Sequence, residues 1–277
     1  MSDSWRQGTG AGRIIRSLTM KISVITITLN AAEFLGGAIA SVTAQDHPDV
    51  EHILVDGGST DGTLDLIRGA ASRDPRLRYL SGPDHGISDA MNRGLEAATG
   101  DVAAFLHADD FYADPAVLSR AVSVFCQHHS CMWLTGGIRQ VGRNGSALRD
   151  LPVRRYSYRR LLRSNIIFHP STFVRRDALL RAGGFSPALR YAMDYDLWLR
   201  LAKLADPITC NNIFACFRVH RGSLSCRCHG AAFREEWEVR RCALGRGNPS
   251  IPLHFAWYLF KKMSNGSFID RQFAEEQ

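Results

Sequence analysis

The feature that most constrains this chain is an alternation near its start. Short runs rich in β-branched residues take turns with segments that are apolar at helical spacing. Residues 21–28 read KISVITIT, the pattern of a buried strand. Residues 33–43 follow, with Phe34, Ala38, Ile39 and Val42 on one helical face. The sequence then predicts a strand at 50–55, a helix at 63–72, a strand at 77–80, a helix at 86–98 and a strand at 102–106. Repeated strand–helix–strand units imply right-handed crossovers, hence an α/β fold with a mostly parallel central sheet and flanking helices. In such a sheet the segments leaving the strands share one edge, and open α/β sheets bind ligands there. This chain places polar and acidic residues at that edge. Leu29-Asn30 follows Thr28, and Asp56-Gly57-Gly58-Ser59 follows the second strand. Ser81-Gly82-Pro83-Asp84 and His107-Ala108-Asp109-Asp110 follow the third and fourth. Residues remote in sequence are therefore expected to converge on one cleft.

An acidic edge repels a diphosphate unless a divalent cation lies between them. Mg²⁺ or Mn²⁺ is commonly held by one or two carboxylates together with substrate phosphates. Carboxylates also accept hydrogen bonds from ribose hydroxyls and base N–H groups. No G-x-x-x-x-G-K-[ST] loop occurs. Gly8-Thr9-Gly10-Ala11-Gly12 precedes the first strand and lacks dinucleotide spacing, which argues against a Rossmann dehydrogenase. A nucleotidyltransferase would carry a glycine-rich basic signature near its start, and none is present. The formal charge of +7 rests almost wholly on arginine, since the lysines are Lys21, Lys203, Lys261 and Lys262. Such a charge favours anionic partners, but no aromatic–basic motif points to nucleic acid. Seven irregularly spaced cysteines read as reduced thiols. Cys226-Arg227-Cys228-His229 lacks the spacing of a structural zinc site. With no apolar run of about 18 residues and no apolar leader, a cytoplasmic chain is expected. Residues 1–19 show no periodicity and read as a disordered extension, with Met20 as an alternative start.

Several of these segments, taken in order, resemble the inverting family 2 glycosyltransferases of GT-A fold. Val55-Asp56-Gly57-Gly58-Ser59-Thr60-Asp61-Gly62-Thr63 resembles the family's V-D-D-G-S-T-D-G-T segment. Residues 84–94, DHGISDAMNRG, resemble D-x-G-I-x-D-A-M-N-x-G, and His107-Ala108-Asp109-Asp110 stands at the family's metal motif. Downstream, Phe168-His169-Pro170-Ser171-Thr172-Phe173 and Gly183-Gly184-Phe185 resemble acceptor-side segments. Residues 192–201, AMDYDLWLRL, resemble E-D-Y-D-L-W-L-R-L, and residues 217–225 resemble the closing R-x-H-x-x-S segment. Among subfamilies the likeness is to bacterial exopolysaccharide and colanic-acid-type transferases. The Q-x-x-R-W motif and membrane helices of processive synthases are missing.

The resemblance implies transfer of a sugar from a nucleotide-diphosphate sugar to a saccharide or lipid-linked saccharide hydroxyl, with inversion. It implies donor contacts at Thr28, Asn30, Asp56, Asp84, Asp89, Asn92, His107, Ala108 and Asp109. It places a metal at Asp109 and His220, and the acceptor beside His169, Asp110 and Trp198. Asp194 is the implied base. Each residue has a plainer reading. Asp56 can be a turn aspartate, Asp61 a helix cap, and Asp89 the partner of Arg93 four residues on. His220 can be structural, and Asp194 can cap the amphipathic run Leu197-Trp198-Leu201-Leu204. His107 stands where the family has Asp or Asn, and Met193 where it has Glu. A catalytically inactive nucleotide-sugar-binding protein of the same fold is the alternative function; retention of Asp109 and Asp194 argues against it.

The transferase domain is expected over 20–230 and a helical tail over 231–277. In the tail, residues 251–263 read IPLHFAWYLFKKM, too short to span a bilayer. Its aromatics and terminal lysines suit either an interfacial helix in peripheral contact with the inner membrane face or a helix packed on the domain. Arg154, Arg155, Arg159, Arg160 and Arg163 form a second basic cluster, suited to a solvated helix face or to an anionic partner.

Overall fold

The computed structural model describes residues 20–220, 222–223, 228–245 and 247–260. The proposed extension at 1–19, Cys226 and Arg227 of the cysteine motif, and Lys261 and Lys262 lie outside the described residues.

The parallel half forms as the alternation predicts. Strands β1 (Ile22–Thr28), β2 (Val50–Asp56), β3 (Leu77–Ser81) and β4 (Val102–Phe105) lie in the order β3-β2-β1-β4, all parallel. Between them run α1 (Ala32–Thr43), α2 (Thr63–Ala71) and α3 (Ile87–Ala97). Every residue of β2 is buried, as expected of a strand covered on both faces. On one face α3 sets Ala90, Met91 and Leu95 against Ile25, Ile53 and Val55. On the other, α4 (Val117–Gln127) packs Leu118, Ala121 and Phe125 against Val24, Val102 and Ala104. Glu51 fastens the amino ends of the parallel strands. It accepts hydrogen bonds from Ser23 Oγ (2.5 Å) and Thr99 N (2.7 Å), and it pairs with Arg78 (2.7 Å) and Lys21 (3.3 Å). Burial alone would raise its pKa, but the hydrogen bonds from Ser23 and Thr99 and the charge of Lys21 pull it down to about 2.

Beyond β4 the sheet changes direction. The order continues β4-β8-β6-β9-β5, where β5 is Phe111–Tyr112, β6 Trp133–Val141, β8 Thr172–Arg175 and β9 Ile208–Arg218. β7 (Ala147–Leu151) pairs with β6 off this path. β8 is antiparallel to β4 and β6, β5 antiparallel to β9, and β9 parallel to β6. Gly136 permits the β6–β9 approach, because a Cβ there would lie 2.5 Å from Phe214 and 2.8 Å from the Asn212 carbonyl.

The short helices α5 (Tyr158–Arg163) and α6 (Arg176–Arg181) precede α7 (Met193–Leu201), which carries Asp194. The tail begins with α8 (His229–Leu244), which packs on α7 and α5. Its Arg240 is fully buried, pairs with Glu236 (2.7 Å) and lies over the Tyr195 ring. A last helix, 251–260, folds back so that Tyr258 meets Phe233 and Trp237 of α8. No helix among the described residues is long and apolar enough to cross a membrane.

Candidate active site

The carboxyl ends of the parallel strands form a network in which most expected donor residues also hold the loops. Thr28 ends β1, buried, with no hydrogen-bond partner for its Oγ1. Asn30 adopts φ 50°, a left-handed conformation tolerated by asparagine. Its Oδ1 accepts from Thr60 N (2.9 Å), and its own N–H donates to Ser59 Oγ (2.8 Å). Asp56 is fully buried and accepts from Ser81 Oγ (2.8 Å) and the Ser59 and Gly58 N–H groups. It thus does what a turn aspartate does, at the carboxyl end of β2. Asp61 accepts from Thr63 N and Oγ1 and from Ala32 N, tying α1 to the start of α2.

Asp84 lies across Gly57, where a Cβ would come 2.5 Å from its Oδ2, and it accepts from Gly86 N. Asp89 accepts from His85 N (3.0 Å). Arg93 reaches the carbonyls of Gly82 and Pro83, so the surface pair considered for Asp89 does not form. Asn92 is held by the glycine turn of the second half. Its amide donates to Phe185 O (2.8 Å) and accepts from Phe185 N (2.9 Å). With Ser88 Oγ donating to Leu189 O (2.8 Å), this seam joins α3 to the Gly183-Gly184-Phe185 turn.

After β4 the chain delivers four consecutive residues to four environments. His107 is partly exposed, yet its Nε2 is buried without a partner. Burial lowers its pKa, Asp109 opposing weakly. Ala108 is buried against the α1–α2 side. Asp109 is open enough to meet a ligand, at 27% side-chain exposure, and its Oδ2 lies 3.1 Å from His220 Nε2. Asp110 is buried and accepts from Arg218 N (2.9 Å). Burial, then Asp109, pushes its pKa well above the carboxylate range, and it closes the loop from inside. Arg218 donates to Asp109 O and the Arg143 carbonyl, and it lies over the Phe34 and Phe111 rings.

Asp109 and His220 offer one carboxylate oxygen and one imidazole nitrogen side by side. No group of three or more His, Cys, Asp or Glu side chains suited to a metal occurs among the described residues. A two-residue site leaves most positions to diphosphate oxygens and water, which fits Mg²⁺ or Mn²⁺ on a nucleotide substrate. Tight binding without the nucleotide would need more protein ligands.

Asp194 sits in the first turn of α7, but it does not cap the helix. Ala192 is the N-cap residue. Glu235 of α8 accepts from the backbone N–H groups of Arg190 (2.9 Å), Tyr191 (2.5 Å) and Ala192 (2.6 Å). Asp194 is left with two donors, Asn165 Nδ2 (3.0 Å) and Tyr195 N (2.6 Å). Burial raises its pKa to about 6, and the two hydrogen bonds only partly offset that rise. Asp196 instead pairs with Arg200 (2.6 Å), which also donates to the Ala182 and Gly184 carbonyls. Asn165 and Glu235 escaped the sequence reading. Each lies in a different element from its partners, and no local spacing signals either contact.

A chain of ring contacts runs from His107, two residues before Asp109, to Trp198, four residues after Asp194. His107 meets His169 at 5.3 Å between ring centroids. His169 stacks on Phe185 and touches Trp198 edge-on at 5.7 Å, one turn beyond Asp194. Trp198 itself is 1% exposed and stacked on Trp133, so it supports His169 from within the core and, contrary to the expectation of an acceptor contact, offers no surface to a ligand. Burial, then His107, holds the His169 pKa well below 6.5, so it is neutral at physiological pH.

A parallel half with an acidic edge, continued by a mixed half into one sheet with flanking helices, is the GT-A fold of nucleotide-sugar transferases. The chain belongs to glycosyl transferase family 2, whose profile matches residues 23–183. A Mycobacterium tuberculosis (H37Rv) protein described as an uncharacterized glycosyltransferase is 33% identical over 193 residues, covering 68% of this chain and 71% of its own. A PGL/p-HBAD biosynthesis glycosyltransferase of the same organism is 35% identical over 182 residues, covering 64% and 68%. Among solved structures, Staphylococcus aureus TarS 1-349 in complex with UDP-GlcNAc superposes with a TM-score of 0.66 at 20% identity, over 86% of this chain and 70% of that one. The mannosyltransferase PcManGT of Pyrobaculum calidifontis, in complex with GDP-Man and Mn²⁺, gives 0.61 at 22%, over 86% and 74%. The protein is therefore an enzyme of the glycosyltransferase class.

Proposed function

We propose that the protein transfers a sugar from a nucleotide-diphosphate sugar to a hydroxyl of a saccharide or lipid-linked saccharide, with inversion at the anomeric carbon. The observation that carries this reading is Asp194. It is a carboxylate whose pKa is raised to about 6, in the same helix as Trp198, which touches His169, itself in contact with His107 of the Asp109 loop. A base with a pKa just below the working pH is ionised yet still basic enough to accept a proton. Asn165 and Tyr195 N orient its oxygens. As the acceptor oxygen attacks the anomeric carbon, its proton passes to Asp194 and the bond to the diphosphate breaks, with no covalent sugar–enzyme intermediate. Asp109 and His220 would hold Mg²⁺ or Mn²⁺. When bound, that ion neutralises charge on the departing diphosphate. Asp56, Asp84, Asp89 and Asn30 shape the nucleotide side. His107 and His169, both neutral, line the passage between donor and acceptor.

Donors of the UDP or GDP class are supported by TarS and PcManGT, and a glycolipid-type acceptor by the mycobacterial PGL/p-HBAD relative. The test is a panel of nucleotide sugars with Mn²⁺ or Mg²⁺, read as product formation with saccharide and lipid-linked acceptors. Product NMR then gives the anomeric configuration. Retained configuration would refute the base role of Asp194. Donor binding with no transfer to any acceptor, under conditions that support a known family 2 enzyme, would favour an inactive binding protein.

A further inference from the structure

The last helix leaves much of its apolar surface uncovered. Tyr258 and His254 are buried. Leu253 (65% exposed), Phe255 (42%), Trp257 (45%), Leu259 (43%) and Phe260 (62%) are not. Isolated exposed apolar residues are ordinary, but five within ten positions make a patch of the kind that marks an interaction surface.

Beside that patch stands the second unusual feature. Elsewhere in the fold many arginines are neutralised: Arg76 by Asp74, Arg78 by Glu51, Arg139 by Asp150, Arg143 by Glu33, Arg200 by Asp196 and Arg240 by Glu236. Arg154, Arg155, Arg159, Arg160 and Arg163, in and just before α5, are all exposed, and none pairs with a carboxylate among the described residues. The two features meet. Arg163 lines a cavity of about 180 Å³ together with Leu253, His254 and Trp257. Aromatic and aliphatic side chains beside unneutralised arginines suit a surface that is apolar below and anionic at its boundary.

We propose that helix 251–260 and α5 form one docking surface for an anionic lipid bilayer, with Leu253, Trp257 and Phe260 entering the headgroup–acyl boundary and the arginines contacting lipid phosphates. The surface is tied to the proposed base. Tyr195 Oη, next to Asp194, donates to the carbonyls of Leu161 (2.9 Å) and Leu162 (3.2 Å) in α5. Asn165, two residues beyond α5, holds Asp194 itself. A bilayer seated on α5 therefore brings lipid-borne hydroxyls to the acceptor side. This deepens the lipid-linked-acceptor reading, yet docking is measured without turnover and so stands or falls separately.

The experiment is co-sedimentation of the full chain with phosphatidylcholine vesicles and with phosphatidylcholine–phosphatidylglycerol vesicles, at low and high salt, while tryptophan fluorescence is followed in wild type and in Trp257→Phe, the difference being the Trp257 signal. The expected result is binding to the anionic vesicles only, a blue shift of emission, and partial release by salt. Each cation near an anionic leaflet multiplies partitioning roughly fivefold, so Arg159→Ala with Arg163→Ala is expected to weaken binding about 25-fold. Trp257→Ser with Phe260→Ser is expected to abolish the salt-resistant fraction. Both variants should keep the wild-type circular dichroism spectrum and donor binding. A full chain that stays in the supernatant with anionic vesicles overturns the proposal. If it is also dimeric by ultracentrifugation, a second copy covers the patch; if monomeric, the chain beyond residue 260 does. Equal binding by wild type and both folded variants overturns it too.

Discussion

Replacing Asp194 by Asn separates a catalytic carboxylate from a structural one, because the two roles predict opposite changes in stability. The folded protein holds this carboxyl at a pKa of about 6 against 3.8 for an ordinary aspartate. A raised carboxyl pKa means that folding favours the neutral form. The contribution to stability is greatest below about pH 3.8 and falls as pH rises through about 6. Above that, an ionised Asp194 costs roughly 3 kcal/mol. Asparagine is neutral throughout and removes that cost. Against it stands one lost acceptor. Asn165 Nδ2 and Tyr195 N both donate to Asp194, and an amide offers only one oxygen, a loss of about 1–3 kcal/mol. At pH 8 the variant should therefore be as stable as wild type or up to about 2 kcal/mol more stable. At pH 4 that advantage should be gone, a relative shift of roughly 6–10 °C in Tm between the two pH values. Turnover should fall by about 10²–10⁴-fold while donor affinity stays within a few-fold. Calorimetry at both pH values and steady-state kinetics with a separate donor titration supply the measurements. Near-normal turnover would refute the base role. A large loss of Tm at pH 8 that tracks the loss of activity would show that the carboxylate is structural.

Wild-type turnover should itself fall on the acid side with an apparent pKa near 6, since the base must be ionised. The hydrogen bond from Asn165 favours that ionised form, so Asn165→Ala should move the acid limb to higher pH; an unmoved limb would show that Asn165 does not tune the base. Asp109→Ala should weaken donor binding more than about tenfold and make the remainder insensitive to EDTA, as followed by titration with and without the chelator. Equal wild-type affinity in EDTA would remove the metal role. Glu235→Ala leaves three backbone donors at the entry to α7 and should cost about 2 kcal/mol, with kcat falling more than donor KM changes. Partial rescue by Glu235→Gln is expected, and an unchanged Tm would show that solvent replaces the carboxylate.

The parallel half was legible because each of its strands is buried along its length or ends in a polar turn, and both patterns are local. Predicted and observed boundaries differ by one residue or so from β1 to β4. The mixed half was legible only as motifs. β6 contains Gly136, Gly137 and Arg139, which weaken any strand signal, and it is held by β8, β7 and β9 from distant parts of the chain. The same distinction governs the site. Asp109, His220 and Asp194 could be singled out from their segments. The two hydrogen bonds of Asn92 to Phe185, 93 residues away, could not be read from its helical position, nor could the burial of Trp198 against Trp133.

That Asn92–Phe185 seam, with Ser88 on Leu189, bears on how such enzymes can be recombined. Helix α3 is bolted to the turn that backs His169, so this seam joins the two halves in addition to the β4–β8 pairing of the sheet. A chimera that takes its parallel half from one homologue and its mixed half from another must carry both sides of this joint from the same parent. Cut anywhere between residues 93 and 184, it matches an asparagine shaped for one backbone to a turn shaped for another. For the same reason, substitutions at Ser88 or Asn92 of α3 will register in the backbone at 185–189, and changes in that turn will return compensating mutations in α3.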